Sequence, residues 1–143
     1  MVVGNIVDNS SLFFNRTNAS LSYGNVISGT GTVSKYQSGT LIFTADQTYT
    51  GGTLVQGGTL QLGNGGTTGM VYGSADTLDV NGVVTAFGSG ISLAGSTSVV
   101  FDHSNNITYA GDIIGAGSLV KNNSDTLVLT GLDYYSGGTT ING

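Results

Sequence analysis

No cysteine, proline, tryptophan or glutamate occurs in these 143 residues, and lysine and arginine together number three. Each absence excludes something. Without cysteine there is no disulfide framework and no thiolate chemistry. With His103 as the one histidine, no zinc set can be assembled. Arg16, Lys35 and Lys121 stand far apart, and the formal net charge is −5. Phosphate neutralisation needs clustered cations, so nucleic acid is not an expected partner. The same scarcity disfavours a polybasic membrane contact. No apolar run of about 18 residues exists to cross a bilayer as a helix. The first residues, Met1 to Asn5, lack the basic and long apolar stretches of a signal peptide. The chain therefore either stays inside the cell or is a piece of a larger exported one. Charged residues are 8% of the chain, against roughly 25% in ordinary soluble proteins. An amphipathic helix needs Lys, Glu, Arg or Gln on its wet face, and this chain cannot supply them. An all-β fold follows.

What is present is glycine, at 25 residues, with Thr, Ser and Asn at the polar positions. Disorder would share that composition. It would not share the short alternating apolar runs Leu60-Gln61-Leu62, Leu78-Asp79-Val80, Ile91-Ser92-Leu93 and Leu127-Val128-Leu129. Fourteen strands are expected, mostly three to five residues long, among them 11–15, 20–23, 32–35, 40–44, 53–56, 59–62, 77–81, 98–102, 118–121 and 126–130. Gly-Gly, Asn-Gly and Ser-Gly punctuate them. Leu41, Leu60 and Leu78 fall at nearly equal intervals. Such spacing fits coils of roughly 20 residues stacked in a parallel β-helix. Alternate residues then point inward, so Leu41/Phe43, Leu60/Leu62, Leu78/Val80, Ile91/Leu93 and Leu127/Leu129 build an internal stack. A sandwich or barrel would need longer strands and two-residue hairpins.

The chain also repeats itself. Residues 29–57 and 115–143 align without a gap at an offset of 115 − 29 = 86, with twelve identities. They include Lys35/Lys121, Leu41/Leu127, Tyr49/Tyr135, Gly51/Gly137 and Gly52/Gly138. A period of 86 is read as about four coils, giving six or seven coils over 1–143 as a single segment. Tyr49 and Tyr135 are expected to pack over the Gly-Gly corners. Lys35 and Lys121, at strand ends, are expected to face outward and blunt lateral pairing.

The run GTLIFTADQTYTGGTLVQGGTLQLG (39–63) resembles the passenger-associated repeat of bacterial autotransporters, loosely G-T-L-x-L-T-G-x-N-x-Y-T-G-G-T-x-V-x-x-G-T-L-x-V. The preceding GTGTVSK is similar to that family's G-x-G-x-L-x-K lead-in, and 115–143 follows the same pattern. Departures fall at Ala45-Asp46-Gln47 and Leu132-Asp133-Tyr134, both turn positions. The resemblance implies a right-handed parallel β-helix. It also implies display outside the bacterial cell, with export through a translocator β-barrel belonging to the same full-length chain.

No catalytic, cofactor or metal site is expected. His103 reads as a solvated or loop histidine. Its neighbour Asp102 points to the opposite face of a strand. All eight carboxylates are Asp, and Asp102 with Asp125, or Asp76 with Asp79, are the pairs that stacking could bring together. Turn and strand-end roles account for them. The five Asn-x-Ser/Thr sequons, at Asn9, Asn15, Asn18, Asn106 and Asn122, reflect composition. Tyr72 and Phe87, in glycine-rich segments, are the candidate partner contacts.

The expected function is a structural and adhesive stem of a passenger. It meets, or holds up a surface that meets, a protein or glycan on host or neighbouring cells. Two alternatives are a glycan-active enzyme using an Asp cluster and a folding seed for passenger secretion. Copy one continues past Gly57 while copy two stops at the equivalent Gly143. A fragment of a longer protein, able to self-associate end to end, is the expectation.

Overall fold

A computed structural model describes residues 3–17, 19–72, 77–78, 84–86 and 90–143. The described residues contain strands and no helix, stacked as a parallel β-solenoid of about six turns. A short β1 (Ile6–Val7) precedes the first coil, which holds β2 (Ser11–Asn15), β3 (Ser20–Tyr23) and β4 (Ile27–Ser28). The second coil holds β5 (Thr32–Tyr36) and β6 (Thr40–Phe43), and the third β7 (Thr53–Val55) and β8 (Thr59–Gly66). Then come β9 (Thr77–Leu78) and β10 (Val84–Ala86). The fourth coil is β11 (Ile91–Leu93), β12 (Ser98–His103) and β13 (Ile107–Tyr109). The fifth is β14 (Ile113–Gly115), β15 (Ser118–Asn122) and β16 (Leu127–Leu129), and the sixth β17 (Asp133–Tyr135) and β18 (Thr139–Asn142).

These strands build three faces. The first stacks β2, β5, β7, β11, β14 and β17, and the second β3, β6, β8, β12, β15 and β18. The third is discontinuous: β1 on β4, a single bridge from Gln47 to Val71, and β13 on β16. Every one of these pairings is parallel, and the register is unbroken except at the end of β8, where it shifts between Phe101 and His103. Like residues therefore form columns along the axis at a rung spacing of about 4.8 Å.

The inward columns are the core. On the second face one column runs Leu21, Leu41, Leu60, Val99, Leu119. Beside it runs Tyr23, Phe43, Leu62, Phe101. The first face contributes Val33, Ile91 and Ile113 in one column and Val55 and Leu93 in the other, all buried. Burying each Leu, Ile or Val is worth roughly 1.5–3 kcal/mol. Aromatic rings close the first coil, where Phe14, Tyr23 and Phe43 meet edge to face at centroid distances of 6.0–6.4 Å. In the fourth coil Phe101 meets Tyr109 at 5.5 Å.

The repeat does not return to its own face. On the first face register passes from Val33 to Thr53, then Ile91, then Ile113. Val33 and Ile113 therefore stand three coils apart on one face. The repeat partner of Val33 is Leu119, and it lies on the second face, paired with Val99. The repeat period is thus three coils and one face, not four coils. Copy one occupies the first, second, third and first faces in turn. Copy two occupies the second, third, first and second. Its backbone conformation is nevertheless the same. Gly29 and Gly115 have φ of 105° and 109°, Gly52 and Gly138 86° and 85°, and Gln37 and Asn123 63° and 62°.

Leu78 is a second correction. Its spacing from Leu60 predicts the next position in the stack, but it pairs antiparallel with Val84. Leu60 stacks on Val99 instead. The two-strand excursion sits between coils three and four, which is why first-face register steps from Thr53 directly to Ile91. Val80, Asp76 and Asp79 lie outside the described residues.

The Gly-Gly corners are tight because adjacent coils nearly touch. A Cβ on Gly51 would lie 2.3 Å from the backbone oxygen of Gly31, one coil away. The same site in copy two, Gly137, would meet Gly117 at 2.5 Å.

Candidate functional site

Strand parity decides where the repeated side chains go. Val33 is buried, so Lys35, two residues on in the same strand, points the same way. Both lysines, expected to face outward, are buried at 3% and 5% exposure. Lys35 stacks between Phe14 and Val55, and Lys121 between Phe101 and Ile141. The ammonium groups stay buried because the corner turns carbonyls inward to meet them. Lys35 Nζ donates to the carbonyl oxygens of Tyr36 at 3.3 Å, Gln37 at 2.9 Å and Gly57 at 2.8 Å. Gly57 belongs to the next coil, so the lysine ties two coils together. Burial holds the Lys35 ammonium below the usual lysine range. Lys121 Nζ donates to the carbonyl oxygens of Asn122 and Asn123. Its third partner is the carboxylate of Asp125, and this ion pair has side chains 7% and 4% exposed.

The tyrosine before each Gly-Gly is fixed in a similar way. Tyr49 is fully buried and shares a hydrogen bond with Thr53 Oγ1. Burial pushes its phenol well above the usual range. Tyr135 makes the equivalent bond to Thr139 at 2.7 Å on a more open coil. Leu41 is buried, and Leu127 packs half-buried against the core.

Gln47 and Asp133 are equivalent residues that sequence reasoning places in turns. Both lie inward. Gln47 Oε1 accepts from the Ile27 amide at 2.8 Å, while its NH2 donates to the carbonyl oxygens of Asn25 and Ala45. The Asp133 carboxylate accepts from the amide of Ile113, the residue equivalent to Ile27. Its Oδ1 is buried with no partner. Burial raises the Asp133 carboxyl above its usual range, and Asp112 adds to the shift. The repeat offset pairs these two positions, and that was the available signal.

His103, expected to be solvated, is buried at 1% exposure at the end of β12, with neither ring nitrogen hydrogen-bonded. Burial lowers its pKa, opposed by the carboxylates of Asp125, Asp102 and Asp46. Asp102 points outward, as expected. It accepts from Gln61 Nε2 at 3.0 Å and Asn123 Nδ2 at 2.6 Å. Asp102 and Asp125 thus share one corner, but each carboxylate is already held by neighbours of its own. Among the described residues no cluster of three or more metal-ligating side chains occurs.

Tyr72 is 56% exposed. Its hydroxyl donates to Asp46 Oδ2 at 3.1 Å. The other oxygen of Asp46 accepts from the amides of Gly69 and Met70 at 2.8 and 3.0 Å. One carboxylate therefore fixes both the segment and the ring. Phe87 lies outside the described residues.

Nine of the twelve identities between the copies fall at corners or inward positions, the other three being Ser38, Thr40 and Thr44. Five are corner glycines, and Lys35, Leu41, Tyr49 and Thr53 are inward residues that are all buried. The outward mid-strand pairs Ile42/Val128 and Leu54/Thr140 are different, as are the strand-end pair Tyr36/Asn122 and Ser34/Val120, where Ser34 is covered by its neighbours.

A family model described as the passenger-associated-transport-repeat matches residues 33–62 and 119–143. The chain is 36% identical over 139 residues to the protein named Adhesin BmaC autotransporter of Brucella suis biovar 1 (strain 1330). That alignment covers 86% of this chain and 4% of the relative's length. No solved structure matches. Passenger segments of this kind are exported to the bacterial cell surface. With the matched segments and the parallel solenoid in agreement, the chain carries the passenger-associated transport repeats of bacterial autotransporters.

Proposed function

We propose that this segment is a non-enzymatic stem of the passenger, and that its outward residues meet a protein or glycan on host or neighbouring cells. The observation that carries the reading is the distribution of the repeat. Nine of the twelve identities fall at corner glycines and inward positions, the inward differences Val33/Leu119, Phe43/Leu129 and Val55/Ile141 stay apolar, and the outward mid-strand pairs Ile42/Val128 and Leu54/Thr140 change character or size. A repeat retained for a ligand would keep its outward side chains. One retained for stacking keeps the inward ones. Because the copies are turned by one face, they do not present a common surface in one direction.

Recognition therefore falls to residues outside the repeat. Tyr72 is the leading contact, since its ring is exposed and already immobilised by Asp46. A fixed aromatic gives contact area at little entropic cost. Phe87 is the second candidate on sequence grounds. The name of the Brucella relative, an adhesin, supports an adhesive role. Single contacts of this size are weak, so adhesion rests on many coils in a long passenger. A translocator barrel in the same full-length chain is its export partner.

The test uses the full-length passenger displayed on cells. Tyr72→Ala is expected to lower adhesion with surface display unchanged. Removing one whole coil, residues 33–52, is expected to preserve display because register is kept. Unchanged adhesion by Tyr72→Ala would remove the contact role, and glycan turnover by the isolated segment would overturn the stem.

A further inference from the structure

The end of β8 carries chemistry that the stem does not use. Leu62 pairs with Phe101, and the next paired residue is Gly66, opposite His103. Gly63, Asn64 and Gly65 therefore stand against Asp102 alone and form a bulge. Gly63 and Gly65 have φ of 83° and 72°. Asn64, Gly65 and Gly66 are exposed, and beyond the adjoining residues no heavy atom lies within 4 Å of a Cβ built on Gly65 or Gly66. The Asn64 side-chain carbonyl accepts a long contact of 3.4 Å from Gln61 Nε2, which also donates to Asp102 at 3.0 Å.

The geometry points to Asn64–Gly65 as a self-modification site, at which the chain's own backbone converts Asn64 to isoaspartate and aspartate. Solvent base removes the proton of the Gly65 amide, and that nitrogen attacks Asn64 Cγ. The Cγ–Nδ2 bond breaks, the nitrogen takes a proton from water, and ammonia leaves. A five-membered succinimide remains. Water then adds to one of its two carbonyls. Opening at the main-chain carbonyl gives isoaspartate, and opening at Cγ gives aspartate. No oxidant or cofactor enters. Glycine at 65 matters because a side chain there would obstruct the approach of the nitrogen.

Asn142–Gly143 has the same sequence and the opposite surroundings. Asn142 is paired in β18 against Asn122, and its Nδ2 donates to Asn122 Oδ1 at 3.1 Å. A Cβ on Gly143 would sit 2.3 Å from the Asn123 oxygen. Pairing and crowding hold this backbone away from the cyclic geometry. Asn81–Gly82 lies outside the described residues.

Each product puts a new carboxylate beside Gln61 and Asp102 and takes the net charge from −5 to −5 − 1 = −6. Isoaspartate also lengthens the main chain by one methylene, which the open bulge accommodates. The outward edge of the second face thus grows more acidic with age while the fold persists.

The test incubates the 143-residue chain, folded and denatured, in mildly alkaline buffer at physiological temperature. Peptide mapping and labelling by isoaspartyl methyltransferase follow conversion at each site. In the folded chain Asn64 is expected to convert at close to its denatured rate, with isoaspartate in excess, while Asn142 slows severalfold. Gly65→Asp, which tolerates positive φ, is expected to suppress conversion at Asn64 with little change in melting. Asn64→Gln is expected to abolish the label in that peptide. Slowing of Asn64 by the same factor as Asn142 would overturn the inference, as would label surviving in Asn64→Gln.

Discussion

Copy one and copy two share their backbone turns and their inward lysine and tyrosine, and differ in what those side chains meet. At the lysine corner, Lys35 is held by three backbone carbonyls, while Lys121 is held by two carbonyls and Asp125. Asp125 stands where copy one has Gly39. At the inward turn, Gln47 satisfies one amide and two carbonyls, and Asp133 satisfies one amide and leaves an oxygen unpaired. The difference teaches that the corner demands an internal cation and a hydrogen-bonding side chain in the turn. It is less strict about what partners them.

The largest effect that would sharpen this comparison is Lys121→Met. It strands the Asp125 carboxylate in a corner with 4% exposure and is expected to cost about 3–5 kcal/mol in urea unfolding. Adding Asp125→Gly, which restores the residue of copy one, is expected to recover much of it. Next is Lys35→Met, expected at about 1.5–3 kcal/mol, the worth of hydrogen bonds to a charged group. If it costs as much as Lys121→Met, the ion pair contributes nothing special and the two corners are alike. Tyr49→Phe leaves buried Thr53 without its partner and is expected to cost about 1–2 kcal/mol. No loss of stability in urea unfolding would show that the Tyr49–Thr53 bond does not hold the corner.

The smallest effect concerns pH. The folded Asp133 carboxyl is raised above its unfolded value, so the folded state binds its proton more tightly. Its contribution to stability is fully present below the unfolded carboxylate pKa of about 4. It is lost as pH rises through the raised folded value. Asp133→Asn supplies the NH2 that Gln47 has and is expected to gain about 1 kcal/mol at neutral pH. The gain should shrink on acidification. A gain independent of pH, read from melting curves across the acidic range, would remove the carboxyl as its cause.

Much of the fold was legible because a repeat of period two reports burial directly. Leu41/Phe43, Leu60/Leu62 and Ile91/Leu93 point inward as the alternation requires. The same rule places Lys35 inward, but its charge reads as a reason for exposure. The inward carbonyls that make burial tolerable come from positive φ at Gln37 and from Gly57 of another coil, and neither is visible in the local sequence. Strands β1, β4, β14 and β17 escape a sequence reading because two or three residues beside glycine carry almost no periodic signal. Tyr72 was legible as an aromatic in a glycine-rich segment. Its tether to Asp46, in a turn of an earlier coil, was not.

Sequence alone determined the solenoid: too little charge for helices, alternation in short strands, and a doubled segment with corner glycines. Tertiary structure decided the phase. First-face register climbs through Leu12, Val33, Thr53, Ile91, Ile113 and Asp133. The steps are nearly equal except the long one from Thr53 to Ile91, where the excursion after coil three adds length without adding a turn. Local rules set which way each side chain points across its strand. They do not set which of three faces the strand joins, because that depends on the summed length of everything stacked before it.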